Sequence, residues 1–174
     1  VPEFQIFHCV RAPLAGQGGR TTFSNTVLAL LNASARSRGL WEKVTGVYQR
    51  KMEFYDSKTV SPIVDNHPLR GFSVLRYNEP PREGFGRFLN PPVLEFNGVS
   101  VEELNEVHRS LREELYSPKN FYAHEWHEGD VVIADNFSLL HGREAFVTKA
   151  PRHLRRVHVL SNPPLNNPRL VSHK

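Results

Sequence analysis

The stretch Trp126-His-Glu-Gly-Asp130-Val-Val-Ile-Ala-Asp135-Asn136-Phe-Ser-Leu-Leu-His141-Gly-Arg143, followed by Arg152-His-Leu-Arg-Arg156-Val-His-Val-Leu160, decides how this chain folds. Asp130 to Asp135 and Arg155 to Leu160 are short β-branched runs, the composition of strands, and the segment between them reads as a loop. Upstream, Phe4 to Val10 is another such run. Gly16-Gln-Gly-Gly-Arg20 is a turn by its glycines, after which Ser24 or Asn25 caps a short helix through Val27, Leu28, Leu30 and Leu31. A strand region follows from Thr45 to Tyr55. Lys58 to Pro92, rich in proline and glycine, reads as long loops interrupted by a strand at Ser73 to Tyr77.

One helix is strongly marked. Ser100-Val-Glu-Glu103 is a capping box, and Val101, Leu104, Val107, Leu111 and Leu115 recur at helical spacing, which predicts a helix over 101–115. Strands therefore dominate, with two helices outside them. The alternating strand and helix order of a parallel sheet is missing, so the pattern predicts a mainly β fold with flanking helices, a sandwich or jelly roll.

With 174 residues and 39% hydrophobic content, the chain has enough apolar surface for one domain with a real core. Its single cysteine, Cys9, allows neither an internal disulfide nor a cysteine-based zinc site, which fits a reducing compartment such as the cytoplasm. No apolar run reaches the roughly 18 residues of a membrane span, and Val-Pro-Glu-Phe-Gln at the start lacks the regions of a signal peptide. The net charge of +4 is scattered among acidic residues except at Arg152, Arg155 and Arg156, so nucleic acid is not an expected partner. A small molecule is, and a homo-oligomer is compatible with the composition.

The chemistry concentrates near the end of the chain. Residues four apart on a strand share a face, so Arg152 and Arg156 project together with His158, opposite Val157 and Val159. If that face is interior, the guanidinium groups require an anion, because an unpaired buried charge costs several kcal/mol. If it is exterior, they are solvated surface charges. His141, beside Leu139-Leu140, is equally open: one histidine is either a packed residue or one member of a metal site. His124 and His127 with Glu125 and Glu128 read as a polar turn ahead of a strand, and Trp126 as packing. His8 and Cys9, being adjacent, point to opposite faces and make a poor nucleophilic pair. Tyr77, Asn78 and Glu79 either line a pocket or begin the turn at Pro80-Pro81.

The order of Gly18-Gly19-Arg20-Thr21, Trp126-x-x-Gly129-Asp130-(x)4-Asp135-Asn136, His141, Arg152 and Arg156 resembles the taurine dioxygenase (TauD/TfdA) family of iron(II)- and 2-oxoglutarate-dependent oxygenases, over nearly the whole chain. Each piece is weak alone, and their order and spacing together are specific. Pro62-Ile-Val-Asp-Asn-His-Pro68 and Val74-Leu-Arg-Tyr-Asn-Glu-Pro-Pro81 resemble the branch of that family acting in isonitrile natural-product pathways.

The resemblance implies a double-stranded β-helix, a cofactor set of Fe(II), 2-oxoglutarate and O2, and hydroxylation or desaturation of a small, amino-acid-derived molecule in secondary metabolism. It implies that His141 is an iron ligand and that Thr21 and Arg152 hold the far carboxylate of 2-oxoglutarate. Arg156 then helps hold the cosubstrate or an anionic group of the substrate. Apart from the resemblance, Arg143 either supports the His141 loop or reaches the substrate, and Asn78 is a candidate substrate contact. The family's other two ligands come from a His-x-Asp or His-x-Glu pair before the Gly-Gly-x-Thr turn, and none of the nine histidines here is followed in that way. The expectation is that the pair lies upstream of Val1, the domain being incomplete at its N-terminus. The rival is a non-catalytic jelly-roll module that binds a small carboxylate without iron.

Overall fold

Alternation along Phe4–Arg11 builds the first sheet, because Gln5, Phe7 and Cys9 are buried while the residues between them face outward. The computed structural model describes residues 2–52, 55–81, 92–147, 151–162 and 170–172. In chain order these form β1 (Phe4–Arg11), β2 (Thr21–Asn25), α1 (Thr26–Asn32), α2 (Ala35–Trp41), β3 (Thr45–Met52) and β4 (Tyr55–Pro62). They continue with β5 (Val64–Asn66), β6 (Ser73–Leu75), β7 (Val93–Asn97), α3 (Val101–Leu115), β8 (Phe121–His124) and β9 (Val131–Asp135). The last three are β10 (Leu139–Arg143), β11 (His153–Val159) and β12 (Leu170–Ser172).

Two three-stranded antiparallel sheets carry the site. One has the order β11-β1-β9, with Phe7 opposite Arg156 and Val132, and the other the order β10-β2-β8, with Phe23 opposite His141 and Tyr122. Phe7, Cys9, Phe23, Trp126 and Ala134 pack between them, and the Phe7 and Phe23 rings meet edge to face at 6.3 Å. The outer face of the first sheet is apolar and open to solvent, with Ile133 64% and Val157 56% exposed.

A second core lies under a four-stranded sheet, β12-β4-β3-β7, and a two-stranded one, β5-β6. It unites Leu30 of α1, Trp41 of α2, Ile63, Leu75, and Val107 and Leu111 of α3. The Ser100 capping box starts α3 at Val101, as its sequence predicts, and Asn25 caps α1 by accepting from the Leu28 N–H. Among the described residues no helix is long and apolar enough to cross a membrane.

The mainly β expectation stands, and four local expectations are corrected. Thr45 to Tyr55 is one arm and the start of the next, since β3 pairs with β4 as a hairpin. Lys58 to Asn66 is largely strand, because its polar residues sit on β4 between β3 and β12. A third helix, α2, is capped by Ser34, and it tolerates Gly39 because Leu40 and Trp41 anchor it in the core. The supposed loop after Asp135 contains β10, whose three polar or glycine positions hide the strand until β2 is there to pair with it. Residues 82–91 of the loop-rich stretch lie outside the described residues.

Candidate active site

β9 turns into β10 around Asp135, whose Oδ1 accepts the backbone N–H groups of Phe137 and Ser138. His67 closes the other side: its Nδ1 accepts from the Leu69 N–H, so Nε2 carries the proton and donates to Asp135 Oδ2 at 3.3 Å. Burial works against the charge on Asp135, but these hydrogen bonds outweigh it and hold the carboxyl below its usual range. Asn136 donates to the Pro2 carbonyl and accepts from Gln5 Nε2, which ties the turn to the start of β1. The Asp-Asn pair therefore fixes where β10 begins, and with it the position of His141.

On β10, His141 shares a face with its partner Phe23, and Arg143 shares that face with Thr21. The face is the inner one, because Phe23 is in the inter-sheet core and the His141 ring meets Phe7 at 5.7 Å. Solvent reaches His141, yet enough protein surrounds the ring that desolvation lowers its pKa, helped by the positive Arg156 and by His158. A neutral imidazole with an available lone pair results.

Arg152 stands at the other end of the same floor. Its Nη2 donates to Thr21 Oγ1 at 2.6 Å, and Trp126 Nε1 donates to the same oxygen at 2.9 Å. The guanidinium also lies 6.0 Å from the Trp126 ring. Arg152 Nε is buried without a hydrogen-bond partner. Burial and the nearby Arg143 charge push the Arg152 pKa down, the mark of a cation short of an anion. Thr21 and Phe23 are two residues apart on β2, so the Thr21 hydroxyl and the His141 ring are separated by about 7 Å along the strand.

Arg156 and His158 follow on the inner face of β11, opposite Phe7 and Gln5, and Arg156 is exposed. Arg143 is exposed as well, its guanidinium 5.3 Å from the Phe146 ring. Asn78 is not brought to this cluster: Tyr77 beside it bonds His108 of α3, and Glu79 pairs with Arg112 of α3. His124 and His127 both approach Asp130, at 3.2 and 3.6 Å, and among the described residues no group of three metal-ligating side chains converges.

Two participants escaped sequence reasoning. Phe7 braces His141, and Trp126 serves the Thr21 hydroxyl as well as the core; both contacts span more than a hundred positions, and no local pattern announces them.

The neighbours of this arrangement are specific. The chain is 52% identical over 170 residues to the tyrosine isonitrile desaturase of Pseudomonas aeruginosa, covering 98% of this chain and 58% of that protein. It is 43% identical over 161 residues to a 3-((Z)-2-isocyanoethenyl)-1H-indole synthase of Fischerella ambigua, covering 92% of this chain and 59% of that protein. Its fold superposes with a TM-score of 0.84 on PvcB, described as an Fe, alpha-ketoglutarate dependent oxygenase from an isonitrile synthetic pathway, at 48% identity over 98% of this chain and 56% of that one. The chain thus spans rather more than half the length of these relatives. Residues 1–158, from the strand that bears Phe7 to the one that bears Arg156, match the profile of the taurine catabolism dioxygenase TauD, TfdA family, and the chain belongs to that family.

Proposed function

We propose that this chain forms the cosubstrate-binding half of an Fe(II)/2-oxoglutarate-dependent oxygenase that desaturates or hydroxylates an isonitrile derived from an aromatic amino acid. The observation that carries the reading is that His141 and the Arg152–Thr21 pair share one inner face, with Thr21 one register pair along the ladder from the His141–Phe23 pair, an offset of about 7 Å along the strands. A five-carbon diacid would suit that arrangement, with Arg152 and Thr21 holding one carboxylate.

The residues present suit that cosubstrate. Arg152 lacks an acidic partner among the described residues, and its planar fork suits a carboxylate through two parallel charge-assisted bonds. Thr21 Oγ1 already accepts two N–H groups, so its own proton is left to donate to that carboxylate. His141 offers a neutral nitrogen for iron, and Phe7 limits the rotation of its ring. Such a centre takes two further ligands, and no His-x-Asp or His-x-Glu pair occurs among the nine histidines of this chain. When bound, iron and 2-oxoglutarate together supply oxygen activation, with the cosubstrate oxidised to succinate and carbon dioxide.

Arg156, exposed beside His141, is assigned to an anionic group of the substrate or cosubstrate, and Arg143 to the substrate. The isonitrile assignment rests on the relatives named above, whose names specify tyrosine-derived and indole isonitriles. A cytoplasmic enzyme working on a freely diffusing molecule is the setting proposed.

The test uses the complete protein. Iron(II) and 2-oxoglutarate added without oxygen should produce a metal-to-ligand charge-transfer band, and oxygen with tyrosine isonitrile should then release succinate and a product short of two hydrogens or richer by one oxygen. A carboxylate that binds with no such band, and no succinate, would leave the non-catalytic binder as the correct reading.

A further inference from the structure

We infer that Trp126 is a positioning residue for the cosubstrate carboxylate, which it serves by holding the Thr21 hydroxyl in its donating orientation; this rests on the 2-oxoglutarate reading above. A hydroxyl oxygen has two acceptor positions and one proton that rotates freely. In this site Trp126 Nε1 fills one acceptor position at 2.9 Å and Arg152 Nη2 the other at 2.6 Å. With both filled, the proton of Thr21 points away from indole and guanidinium alike. Without the indole N–H, one acceptor position falls vacant and the rotor regains orientations in which it no longer donates to a ligand.

Two more observations separate this role from simple packing. The indole is itself held: it is 3% exposed, and the His124 ring meets it edge to face at 4.4 Å. His124 is in turn fixed between Asp130 Oδ2 at 3.2 Å and the Tyr122 hydroxyl at 3.0 Å. The Trp126 ring lies 6.0 Å from the Arg152 guanidinium, so one side chain touches both carboxylate-binding groups. Core filling alone needs an aromatic of this size, and it places no demand on where the N–H points.

The experiment is a double-mutant cycle in the complete protein, read through the 2-oxoglutarate KM and kcat. Trp126→Phe keeps the ring and drops the N–H; it should raise KM for 2-oxoglutarate about five- to ten-fold, the scale of one neutral hydrogen bond, while kcat changes by less than about two-fold. In a Thr21→Val background the same substitution should add nothing, because the hydroxyl it orients is gone. Equal effects in the two backgrounds, or an unchanged KM, overturn the inference. Should Trp126→Phe not fold, the indole N–H resonance of the wild-type protein decides. It should shift as 2-oxoglutarate is added, since donation by Thr21 to the ligand makes its oxygen a stronger acceptor, and a resonance that stays in place overturns the inference. Wild-type protein that takes up no 2-oxoglutarate overturns the cosubstrate reading together with this one, whereas normal uptake with additive substitutions overturns this one alone.

Discussion

Arg152 is a half-buried cation whose recorded partners are a hydroxyl and an aromatic ring, neither of them negatively charged. Replacing it with alanine should raise the 2-oxoglutarate requirement of the complete protein by roughly 10²-fold, the scale of losing about 2 to 3 kcal/mol from a charged hydrogen-bonded pair. Titration of the cosubstrate against turnover checks this, and an unchanged requirement removes Arg152 from its role. Gly18 and Gly19 matter to the same pocket for a different reason. Both have φ of +75°, and a Cβ on Gly18 would lie 2.4 Å from the Ala145 carbonyl oxygen, which is backbone and cannot swing aside. Gly18→Ala should therefore cost roughly 2 kcal/mol or more, seen as a fall in melting temperature of about 5 °C. Gly16→Asn should be nearly silent, because nothing lies within 4 Å of that position and asparagine tolerates a positive φ. At this scale the sequence was informative about residue types and silent about neighbours. Two arginines and a threonine could be matched to a carboxylate, whereas the indole that joins them lies 105 positions from Thr21.

Helix α3 was legible because its apolar stripe and its cap agree, each favouring the same start and the same buried face. It also carries a pH sensitivity. His108 is desolvated beside Arg112, which lowers its pKa, and its Nδ1 accepts from the Tyr77 hydroxyl at 2.8 Å, a bond suited to the neutral ring. As the pH falls, the unfolded chain takes up this proton first, at about 6.5, and the folded protein only lower. The stability contributed by neutral His108 is thus present above roughly pH 6.5 and lost as the pH drops toward its folded pKa. Denaturant midpoints measured between roughly pH 7 and 5 should fall less steeply for His108→Leu than for the parent protein, and equal slopes would refute the assignment. Strands β2, β8 and β10 were illegible for the opposite reason. They are four or five residues long, and the polar positions on them are satisfied by pairing with one another rather than by any local pattern. His141 sits on one of these strands, so its inward direction became readable only through its partner Phe23.

For the molecule as a whole, the mainly β class followed from the excess of strands and the jelly roll from the family resemblance, while the sheet order was not legible, because it depends on pairings between the two ends of the chain. Strand β1 lies between β11 and β9, with Phe4 opposite both Val159 and Asp135. Strand β1 is therefore made well before either of its partners, with both of its hydrogen-bonding edges open until more than a hundred later residues have followed. Closing so long a loop is slow, and open edges invite pairing with other chains in the meantime. Assembly of the pocket and protection from aggregation thus finish together, with the arrival of the strand that follows Arg152 and sets Arg156 opposite Phe7.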